Sequence, residues 1–198
     1  MDPEARPNGA PAGGEVDRDL VEAAQRGDQA AFVDLIRPRS ARLLAMAQRI
    51  TQDAAVAEDT LQDALVLAWR DIRAIRDPER FDPWLRRLVV NQCVRHATRE
   101  RTRTARLREL PLEGPAATDD YATVAMRDQL ERGFRRLQPV QRATLVLHHF
   151  VGYSPAEIAE TFGIPPATAR SRLYHAQQAM RAALEADARL AAAGGRVE

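Results

Sequence analysis

The segment from Ser154 to Ala186 constrains the fold more than any other part of the chain. Ser154-Pro155-Ala156-Glu157 is a capping box, in which a serine oxygen accepts a backbone N–H three residues on and the glutamate returns the bond. Proline occupies the first helical position, where no N–H is needed. A short helix follows, with Ile158, Ala159 and Phe162 as its apolar residues and Gly163 as its stop. After Ile164-Pro165-Pro166 a longer helix is expected to run to about Ala186. Short helix, tight glycine-containing turn, longer helix is the helix-turn-helix pattern.

The second of these helices sorts its residues by face. Ala169, Leu173, Ala176, Met180 and Leu184 form one apolar stripe, which must pack on the rest of the domain. The opposite face presents Arg170, Ser171, Tyr174 and Gln178, flanked by Thr168 and His175. This polar set lies near the helix N-terminus, where recognition helices meet base edges. Arg170 is the candidate for a guanine contact, and Ser171 and Tyr174 can reach bases or phosphates. An ordinary helical hairpin with a solvated polar face carries the same pattern, so the remaining sequence decides between the two.

Only 5% of residues are aromatic while 45% are hydrophobic, and Ala, Leu, Arg and Glu recur throughout, which predicts an all-α fold. All 29 basic residues are arginine, yet the formal net charge is +1, so any affinity for DNA has to come from how the charge is distributed. Cys93 is the single cysteine, which excludes an internal disulfide, and it lacks the neighbours of a zinc site. The N-terminus has no signal-peptide pattern, and no run approaches the roughly 18 apolar residues of a membrane span. The cytoplasm is the expected address. No catalytic residue, metal, cofactor or small-molecule substrate is expected.

Residues 1–16, rich in Pro, Gly and Ala, read as a disordered leader. From 17 to 101 the pattern is densely helical. Asp28 precedes an apolar series of Phe32, Leu35, Ile36, Leu43, Leu44 and Met46, which Pro38 should bend or interrupt. Asp53 should cap a helix to about Arg70, and Asp82, followed by Pro83, another from Trp84 to about Arg101. Residues 102–120, with Pro111, Gly114 and Pro115, read as a flexible linker. A second domain spans 121–186, with a break at Pro139, and 187–198 is a weakly patterned tail. The expectation is therefore two small helical domains, the second containing the helix-turn-helix.

The first domain carries two opposed charged faces. Leu61, Ala64, Leu65, Ala68 and Ile72 form an apolar stripe, with Asp59, Gln62 and Asp63 opposite and Glu58 at the margin. The stretch from Arg86 to Arg108 holds Arg86, Arg87, Arg95, Arg99, Arg101, Arg103, Arg106 and Arg108 against one acid, Glu100, and should attract phosphates. A single charged patch is usually a solvated face. An acidic face for a basic protein, a basic stretch for nucleic acid and a sequence reader on one chain describe a bridging adaptor.

These residues resemble the extracytoplasmic-function (ECF) sigma factors from about Asp19 to Ala186. Ala57-Glu58-Asp59-Thr60-Leu61-Gln62-Asp63 looks like the region-two signature that docks the clamp helices of the largest RNA polymerase subunit. Trp84-Leu85-Arg86-Arg87-Leu88-Val89-Val90-Asn91 looks like the segment that opens and reads the -10 element. Leu137-Gln138-Pro139, Tyr153 to Glu160 and Thr168 to Leu173 look like region four, which reads the -35 element.

The resemblance implies polymerase contact at Glu58, Asp59, Gln62 and Asp63, and -35 contact at Thr168, Arg170, Ser171, Tyr174 and His175. For the -10 element it implies Phe81, Trp84, Arg87, Asn91 and Arg95, with an unstacked base captured near the loop from Ile75 to Asp82. Trp84 serves equally well as a core anchor. The partners implied are core RNA polymerase, through its clamp helices and flap, promoter DNA and an anti-sigma factor. Ala167, Ala169, His175 and Gln177 depart from the family pattern, bearing on the -35 preference and on phosphate contacts.

Two other readings use fewer of these features. A repressor or activator explains the helix-turn-helix but leaves the acidic helix idle, and such regulators are usually dimers on palindromic sites. A di-metal helical bundle needs inward Glu-x-x-His motifs. Here Glu58, Asp59 and Asp63 face away from the apolar stripe, and the adjacent His148 and His149 point in different directions.

Overall fold

The computed structural model describes the backbone of residues 18–106 and 121–194, with side chains over 18–103 and 128–189. The leader, apart from these bounds, lies outside the described residues, as does the linker segment from 107 to 120. Eight α-helices occur among the described residues: α1 (Arg18–Gln25), α2 (Gln29–Thr51), α3 (Ala54–Asp71), α4 (Phe81–Arg106), α5 (Tyr121–Arg136), α6 (Pro139–Leu145), α7 (Pro155–Phe162) and α8 (Pro166–Gly194).

Local chemistry sets most of the helix ends. The Asp28 carboxylate accepts from the N–H groups of Ala30 and Ala31 at 2.9 and 3.1 Å and starts α2. Asp53 does the same for α3 through the Val56 N–H at 3.0 Å. Pro38 does not interrupt α2, which runs through it. Leu35 and Ile36 on one side of the proline and Leu43 and Met46 on the other are all buried in the same core, so packing supports the helix on both sides of the proline.

The start of α4 departs from the expected cap at Asp82. Asp77 accepts from the Glu79 N–H at 3.1 Å and begins a 3₁₀ turn, Pro78–Arg80, from which α4 continues at Phe81. The Asp82 carboxylate is instead taken by Arg39 of α2, at 2.5 Å and with both side chains largely buried. The residue read as a cap is a clasp between two helices.

Two further boundaries moved. Helix α4 continues through Arg106, into the segment read as a linker, and α8 continues to Gly194, through most of the segment read as a tail. Proline 139 opens α6, whose last turn widens into a π-helical turn over Val146–Val151.

The sequence divides into two helical units, but their apolar faces meet. One buried cluster contains Leu35, Met46, Leu85 and Val89 from α2 and α4 together with Val146, Leu147, Ile158 and Ala159 from the second unit. A smaller cluster of Leu137, Leu145, Leu173 and Ala176 joins α8 to the helices before it. Polar contacts cross the same junction: Arg101 donates to the Leu137 carbonyl at 3.2 Å, and the Arg49 guanidinium lies 4.0 Å from the centre of the Phe150 ring.

Candidate nucleic-acid and polymerase interfaces

The helix-turn-helix is built by the capping chemistry its sequence announces. The Ser154 hydroxyl oxygen accepts the Glu157 N–H at 3.3 Å, and Glu157 Oε2 accepts the Ser154 N–H at 2.8 Å and its hydroxyl at 2.7 Å. Gly163 ends α7 with φ of 63°, a left-handed conformation in which a side chain would be strained. The Ile164 N–H then returns to the Ala159 carbonyl at 3.0 Å and closes the turn.

Helix α8 leaves this turn with its faces separated. Ala169, Leu173 and Ala176 are buried. Thr168, Arg170, Ser171, Tyr174, His175 and Gln178 are all exposed, and the Tyr174 and His175 rings meet edge to face with centroids 5.5 Å apart. Tyr174 is 58% exposed. Arg172 behaves differently: its guanidinium sits over the Phe162 ring at 5.2 Å and joins α7 to α8.

On α4, the residues expected at the -10 element divide. Arg87 and Arg95 are exposed, and Trp84 and Asn91 are half-buried. Their spacing of three or four residues places them along one side of the helix. Phe81 must be withdrawn from this set. Its ring is wholly buried, packed near Trp84 with centroids 6.0 Å apart and capped by the Arg39 guanidinium at 5.5 Å. An aromatic residue at the joint of α2 and α4 holds the core and cannot stack on a base.

Trp84 is half-buried at the edge of the core. It packs against the core and also lines an open cleft of about 390 Å³. Arg76, Arg80, Arg86 and Arg87 border that cleft from the first unit, and Tyr153, Glu157 and Glu160 from the second. The Arg86 guanidinium lies 5.5 Å from the Tyr153 ring centre. Burial raises the Tyr153 phenol above its ordinary value, with the nearby Arg86 charge pulling the other way.

Glu58, Asp59, Gln62 and Asp63 are exposed on α3 while Ala57, Leu61 and Ala64 beneath them are buried. One residue of this face escaped the sequence reading. Val66 is 68% exposed and lies one turn beyond Gln62 and Asp63, adding an apolar contact to a carboxylate-rich surface. A branched aliphatic residue off the apolar stripe was the available signal.

His148 Nδ1 lies 2.8 Å from the Tyr153 carbonyl oxygen and supports the turn before α7. Among the described residues, no three His, Cys, Asp or Glu side chains gather as a metal-binding group, and no helix is long and apolar enough to cross a membrane.

An all-helical chain with a capped helix-turn-helix, a second arginine-bearing helix and an outward acidic face belongs to the class of DNA-binding adaptors that dock another protein. Residues 35–103 match Sigma-70 region 2, and residues 127–180 match Sigma-70 region 4. The RNA polymerase sigma-H factor of Pseudomonas aeruginosa is 32% identical over 86% of this chain and 95% of its own length. The ECF RNA polymerase sigma factor SigM of Mycobacterium tuberculosis is 34% identical over 81% of each chain. Among solved structures, CnrH in complex with the cytosolic domain of CnrY superposes with a TM-score of 0.60 and 26% identity, over 87% of this chain and 99% of that one. The sigma factor RpoE of Bartonella quintana, solved with the anti-sigma factor NepR, shares the fold at a TM-score of 0.57 and 22% identity. The chain belongs to the ECF family of RNA polymerase sigma factors, which are DNA-binding transcription initiation factors.

Proposed function

We propose that this sigma factor docks core RNA polymerase through Glu58, Asp59, Gln62 and Asp63 and recognises a two-part promoter with α4 and α8. The acidic face of α3 offers carboxylates to a basic surface on the clamp helices, and the second unit meets the flap. Thr168, Arg170, Ser171, Tyr174 and His175 enter the major groove at the -35 element. Arg170 supplies a planar fork suited to guanine O6 and N7. Trp84, Arg87, Asn91 and Arg95 hold the -10 strand, with the Trp84 ring available to stack on an extruded base. Removing a base from the duplex costs a few kcal/mol, which stacking and phosphate contacts offset. The protein works in the cytoplasm, is not itself an enzyme, and is restrained by an anti-sigma factor, as in the solved complex of RpoE with NepR.

The observation that carries this reading is the separation of faces on α8, where the exposed Arg170, Ser171 and Tyr174 stand opposite the buried Ala169, Leu173 and Ala176. The test is to add the purified protein to sigma-free core polymerase with a GC-rich genomic DNA library and to sequence the transcripts. Starts downstream of one shared two-part motif are expected. No initiation, together with specific DNA binding by the protein alone, would move the assignment to a repressor or activator.

A further inference from the structure

The C-terminal ends of α1 and α3 meet and exchange hydrogen-bond donors. Gln25, the last residue of α1, donates from its side-chain amide to the carbonyls of Ile72 at 3.2 Å and Ile75 at 2.7 Å. Arg73, just beyond α3, donates from Nε to the Gln25 backbone carbonyl at 3.1 Å. A methyl group placed on Gly27, where φ is 102°, would stand 3.5 Å from the Arg73 guanidinium, so that side chain lies along the turn after α1. The last carbonyls of a helix have no partner within it, and here each helix end supplies a donor for the other.

Both partners of the Gln25 amide are carbonyls, which only accept, so its NH2 group and not its oxygen must face them. The bonds fall on the connection between α3 and α4, residues 72–80. Ile72 and Ile75 are buried and anchor that connection from inside. Arg76, Asp77 and Arg80 beyond them are exposed and line the same cleft as Trp84. Gln25 therefore fixes the backbone immediately before the residues that stand beside Trp84, from 47 and 50 positions away in the chain.

We propose that Gln25 is a positioning residue for the -10 element: its amide holds residues 72–75 so that the connection presents Arg76 and Arg80 beside Trp84 to the unpaired strand. Gln25 itself touches no DNA in this arrangement. The proposal rests on the assignment of the -10 element to α4 and the connection before it. Once the two carbonyls are released, only chains with the connection in place can read the strand. A connection in place one time in three binds about threefold more weakly. That loss falls on the favoured base, since a disfavoured base never used the contact.

Three variants separate donation from packing. Gln25→Leu fills similar space with no donor, Gln25→Glu sets a carboxylate against two carbonyls, and Gln25→Lys returns N–H donors to both. Arg73→Ala removes the returning bond on an exposed side chain and carries the test should the Gln25 variants fail to fold by circular dichroism. Each full-length chain is added to sigma-free core polymerase with the genomic DNA library, and the transcripts are sequenced. Amide hydrogen exchange over residues 72–80 is followed on the free chains.

We expect Gln25→Leu and Gln25→Glu, and to a smaller degree Arg73→Ala, to lower the preference for the favoured -10 bases, about threefold or more at Gln25. Exchange over residues 72–80 should quicken, and the -35 half of the motif should not change. Gln25→Lys should keep both the preference and the slow exchange. Unchanged -10 preference or unchanged exchange in the folded variants overturns the proposal, as does equal weakening of the -10 and -35 halves. A Gln25→Lys variant that falls as far as Gln25→Leu overturns it too, because packing rather than donation would then be the cause. No initiation by the unmodified chain would instead remove the promoter-reading assignment on which the proposal stands.

Discussion

Asp187, near the far end of α8, is buried against the guanidinium of Arg136 on α5. Its second oxygen accepts from Arg132 Nε at 3.3 Å, one turn earlier on the same helix. The side chain of Asp187 is 7% exposed, while the two arginines keep one edge in solvent. The pairing fastens the later turns of α8 to α5.

Asp187→Asn should therefore destabilise the protein by about 2 kcal/mol, since it removes charge-assisted hydrogen bonds at a buried acceptor. Urea unfolding followed by circular dichroism measures this. A loss below a few tenths of a kcal/mol would mean that the pair is no better than an exposed one.

Phe81→Leu tests the correction made at α4. The ring fills the joint between Arg39 and Trp84, so the variant should lose about 1 to 2 kcal/mol of stability. Its promoter preference, read from transcript start sites, should not change. An altered -10 preference in a stably folded variant would return Phe81 to the base-reading set.

Arg170→Ala should weaken binding to the -35 element by about 1 to 3 kcal/mol and relax the preference at one base pair, as loss of a bidentate guanine contact does. Competition binding against single-base promoter variants checks this. An equal loss on every sequence would identify a phosphate contact instead.

Reversing charge on α3 with Asp59→Arg and Asp63→Arg should abolish association with core polymerase, measured by co-elution or by fluorescence titration. Both side chains are exposed, so the thermal transition should stay within a few degrees of that of the unmodified chain. Retained association would detach the acidic face from polymerase binding.

Cys93 is wholly buried on α4, and burial pushes its thiol from 9.0 up to about 12. Its neutral form is thus favoured in the folded chain. The stability this confers is complete below pH 9.0 and is lost as the pH rises through about 12. Alkylation by iodoacetamide at neutral pH should be very slow in the native protein and fast in urea. Rapid native labelling would show that the α4 core opens.

The sequence by itself determined the helical class, the Ser154 capping box and the faces of individual helices, because these follow from residues within a few positions of one another. Asp28, Asp53 and Ser154 cap as their local patterns require. Ala169, Leu173 and Ala176 turn inward because a helix has a fixed period. What the tertiary structure decided involves partners far away in the chain. Asp82 looked like a cap but is taken by Arg39, Pro38 sits inside a continuous helix held by its packing, and Phe81 is covered by α2. Asp187 looked like part of a tail until α5 supplied Arg132 and Arg136. The closing of the second unit over α4 has the same origin: each apolar face was legible alone, but only three-dimensional packing determined that the two faces cover each other.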